Sequence, residues 1–99
     1  MPIFVALGKL TTEGAAYMRD LSLRHKHAAA NAERLGGKLL ASYALMGQYD
    51  FLAILDCPNE KVAMKILAKE ASHGNVRYET MTAVPIEEFA KLVDEAGIH

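Results

Sequence analysis

His25 and His27, in the segment "RHKH", are the residues of this 99-residue chain that first suggest metal chemistry. Their spacing argues against a shared ion. On a helix, positions i and i+2 diverge by about 200°, whereas a converging pair needs i and i+4. The one cysteine, Cys57, stands between Asp56 and Pro58. An adjacent carboxylate raises a thiol pKa and no histidine is tied to Cys57 by sequence, so it reads as a small buried apolar residue, not a nucleophile. Met46, Met64 and Met81 fall within apolar patterns and read as gap fillers of a core, not copper ligands. The glycines of "LGGK" follow a helical segment, whereas a phosphate cradle needs glycines that lead from a strand into a helix. Neither a metal nor a cofactor is expected.

The polar residues that remain are candidates for binding. In "LMGQYDFLAIL", Gly47 is read as the residue that allows a turn, and Asp50 as an acceptor for turn N–H groups. Tyr49 is not required by a turn; its ring can pack at a rim while its hydroxyl faces a pocket. Arg77 and Glu79 share one face of an alternating segment, either as an exposed ion pair or, if that face lines a cavity, with Arg77 as a clamp for a carboxylate. The ligand-binding candidates are therefore Tyr49, Asp50, Arg77 and His25, and no residue is assigned a catalytic role.

These residues must be positioned by elements that the pattern of the chain suggests. Ile3 to Leu10 reads as a strand, followed by a helix start with Thr11 or Thr12 as cap. The helical stretch to Leu35 has a break at Asp20-Leu21-Ser22, where Ser22 is a candidate second cap, so one kinked helix or two short ones fit. Gly36-Gly37 ends it, and Lys38 to Met46 and Asp50 to Asp56 form two strands of a hairpin. After Pro58-Asn59, Val62, Ala63, Ile66, Leu67 and Ala71 recur at helical spacing up to Gly74. Val76 to Val84 is a fourth strand, and Ile86, Phe89, Ala90 and Val93 mark a short terminal helix after Pro85. Right-handed crossovers in this order give a ferredoxin-like βαββαβ sandwich of the α+β class, an antiparallel sheet with both main helices on one face. The first and third strands are central, and both of their faces are apolar. The face without helices needs a cover: a second copy, or the terminal helix folded across it.

Composition limits the partners. A chain of this length suits one domain, residues 1–99. Eleven basic and twelve acidic residues, interspersed, give a net charge of −1 and no electrostatic footprint for nucleic acid or anionic lipid. The opening "MPIFVALGKL" has no basic leader, and its apolar stretch is too short for a membrane span, so a cytoplasmic location is expected.

"GQYD" followed by an apolar strand, a Pro-led helix and "HGNVRYETMTAVPIEEFAKL" resembles the GYD domain family, as do "LTTEGAAYMRD" and "AERLGGK". More distantly, the Gly-x-Tyr-Asp hairpin and the later strand are similar to the ligand-sensing domain of AsnC-type regulators. Both resemblances imply a dimeric α+β barrel built from two ferredoxin-like units, and neither implies a reaction. Some relatives built on such a barrel bind haem, which keeps His25 open as an axial ligand. The helix-turn-helix half of a regulator is missing here.

Three functional classes follow. The first is an oligomeric module that binds a small, apolar molecule between sheet and helices. The second is a cofactor-independent oxygenase or isomerase, with Tyr49, Asp50, His25 or Arg77 moving protons or stabilising charge. The third is a structural assembly subunit. The expected partner in each case is a second copy of the chain, with neither nucleic acid nor membrane.

Overall fold

The computed structural model describes residues 2–98, the side chains of 15–17 excepted. The elements in chain order are β1 (Ile3–Leu10), α1 (Gly14–Arg19), α2 (Leu21–Arg34), β2 (Lys38–Ala44), β3 (Phe51–Asp56), α3 (Glu60–Ala71), β4 (Val76–Ala83) and α4 (Ile86–Glu95). The strands form one sheet in the order β2-β3-β1-β4, with every neighbouring pair antiparallel. This is the ferredoxin-like arrangement, with β1 and β3, the strands apolar on both faces, at the centre.

The two faces of the sheet have different fates. Phe4, Ala6 and Leu55 are buried, and they pack with Ala32 of α2, Ala63 and Ile66 of α3, and Cys57 in a core beneath the helices. Their neighbours of opposite direction, Val5, Leu7 and Ile54, remain half-buried on the open face. The terminal helix does not cover them. No residue of α4 is buried, and Ile86, Phe89 and Leu92 stay about half exposed or more, so the helix carries an apolar stripe without a partner.

Two expected caps are placed differently. Thr11 Oγ1 donates to the Gly74 carbonyl at 2.8 Å, and its own N–H donates to the Asn75 carbonyl at 3.0 Å, so this threonine ties the end of β1 to the approach of β4. Thr12 turns its hydroxyl to the Glu13 carboxylate. Ser22 lies inside α2, because the helical segment breaks two residues earlier than a serine cap would require, at Asp20. The cap of α3 is regular: Asn59 is extended, and its Oδ1 accepts from the Val62 N–H at 3.0 Å.

Candidate functional site

A cavity of about 650 Å3 lies between the sheet and the helices. Its floor is set by Ala6 and Ala53, which face each other in the β1–β3 register, and its wall includes Ala28 and Ala32 of α2. Small side chains on both sides of a packed interface leave volume that Leu or Phe would fill. Leu21 of α2, Leu39 of β2, Leu55 of β3 and Ile66 and Leu67 of α3 complete an apolar lining. Most of the polar groups lie where α2 meets β2, with Glu70 on α3. His25 Nε2 and Ser42 Oγ share a hydrogen bond of 3.1 Å, and Ser22, Lys26 and Glu70 also line the cavity. An apolar body with a small polar end is the usual design of a small-molecule site.

The other three candidate residues lie elsewhere. Asp50 Oδ2 accepts from the Leu10 N–H at 2.8 Å, and the backbone N–H of Asp50 donates to the Gly8 carbonyl at 2.8 Å. Asp50 thus serves the central strand β1, whose hydrogen bonding it continues past the last β1–β3 pair, and not the turn N–H groups expected from local sequence. The Tyr49 hydroxyl donates to Glu79 of β4, which stands opposite Leu7 in the sheet register. That hydrogen bond, then partial burial and the Glu79 charge, pushes the Tyr49 phenol above its ordinary value. Arg77 is exposed on β4, opposite Lys9, while the Glu79 carboxylate takes the tyrosine. Of the four, His25 alone lines the cavity.

Gly47, Tyr49 and Asp50 therefore act together on the hairpin. Gly47 has φ of 124°, a conformation that side-chain-bearing residues rarely adopt, and no neighbouring atom would contact a Cβ there. The requirement is backbone geometry, not space. Tyr49 and Asp50 then fasten the hairpin to β4 and β1 respectively.

The histidines of "RHKH" separate as their spacing demands. His25 lines the cavity, whereas His27 lines a different groove beside the end of α3. Cys57 is fully buried, and burial followed by the Asp56 charge raises its thiol pKa, which disfavours the thiolate. Among the described residues, no three His, Cys, Asp or Glu side chains are grouped so as to hold a metal ion. Nor is any described helix long and apolar enough to cross a membrane.

The alanines that create the cavity and the Ser42 that meets His25 are not among the residues that local sequence singles out. Only the small residue at alternate strand positions, Ala6 and Ala53, signals the space, and alanine in a strand is equally consistent with tight packing.

A family model described as "GYD domain" matches residues 4–93. The chain is also 31% identical over 87 residues, 87% of its length and 92% of the relative's, to a Thermus thermophilus protein named "Glutamine synthetase and cystathionine beta-lyase binding protein". The matched span contains the whole sheet except the first residue of β1, and the hairpin lock formed by Gly47, Tyr49 and Asp50 lies at its middle. The chain belongs to the GYD domain family.

Proposed function

We propose that this chain acts as a single-domain, non-catalytic binding module of homo-oligomeric form, which takes a small, mainly apolar molecule in the cavity between the sheet and helices α2 and α3. The observation that carries the reading is the cavity itself, about 650 Å3 with an apolar lining and one polar end. That volume falls in the range of small-molecule sites, roughly 300–1,000 Å3. His25 and Ser42 would orient the ligand at the polar end. Tyr49, Asp50 and Arg77 are left a supporting role, since their contacts hold the hairpin or face away from the lining. The buried, unpaired Cys57 suits a reducing compartment such as the cytoplasm.

The oligomer rests on the open sheet face. The chain exposes 6894 Å2, against about 5,500 Å2 expected of a folded monomer of its mass. The excess exceeds the roughly 800 Å2 that each partner buries in a standard interface. Apposed sheets of two copies would cover Val5, Leu7 and Ile54.

Titration with the apolar fluorophore anilinonaphthalene sulfonate tests the cavity. Saturable binding is expected, and Ala53→Phe, which fills the floor, should abolish it while the circular dichroism spectrum stays native. Equal binding by parent and variant overturns the reading.

A second reading has its own support. The relative's name states that it binds glutamine synthetase and cystathionine beta-lyase, and the uncovered stripe of α4 is a surface suited to a protein partner. Biolayer interferometry against those two enzymes from the source organism tests it; loss of a signal on Phe89→Glu would support docking through α4, and no signal from either enzyme would oppose it.

A further inference from the structure

On the side of α2 turned away from His25, Arg24, His27, Asn31 and Arg34 follow one another at intervals of three, four and three residues. They share one helical face over about 15 Å. The end of α3 brings Lys69, Glu70 and His73 to the same place, and the two helices enclose a groove of about 400 Å3 between these side chains. Three permanent cations meet one carboxylate there, in a chain whose net charge is −1.

The dipoles of the helices account for part of this. Arg34 and Lys69 each lie in the last turn of their helix, where a cation is favoured. Arg24 stands at the other end of α2, so the cationic line runs beyond the C-terminal turn. Asn31 carries a further sign. Its Oδ1 accepts from the Arg34 guanidinium at 2.9 Å, while its Nδ2 is buried and has no hydrogen-bond partner. A buried donor without an acceptor is costly, and a ligand oxygen reaching it from the groove would relieve that cost. Glu70 also lines the apolar cavity, so this residue is shared by the two concavities.

The geometry points to an anion site in this groove, built for a small molecule with two or more phosphoryl or carboxylate groups. The side chains supply donors and cationic groups along a line, and guanidinium forks match both oxyanions bidentately. One anionic group meets Arg34 and the Asn31 amide; another, further along the line, meets Arg24 and Lys69. The variants that test the site leave Ala53 and the His25–Ser42 pair untouched, so its failure is told apart from that of the apolar cavity.

Isothermal titration calorimetry at low ionic strength, with tripolyphosphate and with citrate as probes, tests the assignment. Saturable binding of at least one probe at one per chain is expected. It should weaken about tenfold or more in Arg34→Gln/Lys69→Gln, since two charge-assisted contacts are lost. In Lys61→Gln/Lys65→Gln, which removes the same charge from α3 outside the groove, binding should stay within about twofold of the parent. Binding of tripolyphosphate alone assigns phosphoryl groups to the ligand, binding of citrate alone assigns carboxylates, and either supports the site. A folded protein that binds neither probe, or an equal loss in both double variants, overturns it.

Discussion

At the scale of single residues, the Gly-x-Tyr-Asp segment works as a fastening for the hairpin. Asp50 reaches a backbone N–H 40 positions away in the sequence, and Tyr49 reaches a carboxylate 30 positions away. Asp50→Ala removes the acceptor for the half-buried Leu10 N–H and should cost about 1–2 kcal/mol in urea unfolding, with Asp50→Asn recovering most of it. The phenol of Tyr49 offers a pH signature. Because its folded pKa is raised, its stabilising contribution is complete below the unfolded value near 10 and is lost as pH rises through the higher folded value. In an ultraviolet absorbance titration, one of the four tyrosines should ionise later than the others, and Glu79→Ala should bring it back to the ordinary range. Both partners of this segment were beyond reach of a sequence reading, since a turn residue's long-range acceptor or donor is decided by strand register. The turn itself was legible, because only backbone freedom at Gly47 was needed.

At the scale of elements, strands and helices follow the local periodicity of apolar residues, and β1 spans Ile3 to Leu10 as its composition suggests. The ends of elements follow different rules. Asn59 caps α3 through a residue three positions on, a local arrangement, whereas Thr11 abandons the helix beside it for the Gly74 carbonyl. Substitution Asn59→Ala should therefore lower stability by about 1 kcal/mol, read by thermal unfolding. At the start of β2, Gly37 permits close packing of a different kind. A Cβ there would stand 2.8 Å from Ile66 Cδ1, 3.0 Å from Cys57 Sγ and 3.2 Å from the Asp56 carbonyl. Gly37→Ala should cost about 1–3 kcal/mol, since core atoms and backbone must all give way. Paired glycines in a sequence read as a helix terminator; only Gly36, with φ of 101°, serves that purpose, and its neighbour serves the core. The cavity is illegible in the sequence for a related reason: Ala6 and Ala53 on the sheet and Ala28 and Ala32 on α2 are brought to one place only by the folded chain.

At the scale of the whole molecule, the shape argues for association. The chain extends 51 × 31 × 18 Å with a radius of gyration of 15.2 Å, while about 13 Å is usual for this length. A thin sandwich with an uncovered sheet face and an unattached apolar helix accounts for the difference. Adjacent positions of β1 separate the open face from the core: under the proposed sheet-to-sheet assembly Val5→Glu should yield folded monomers by sedimentation velocity, and Phe4→Glu, which places a carboxylate under the helices, should yield unfolded chain. A parent protein that sediments as a monomer would rule out the sheet-to-sheet assembly, yet leave the cavity beneath the helices unaffected. The most direct measurement of that cavity's role is native mass spectrometry of protein purified from its own source. A small apolar molecule retained at one per chain, and missing from Ala53→Phe, is the predicted result. Bare chains for the parent protein, with nothing released into organic solvent, would contradict it.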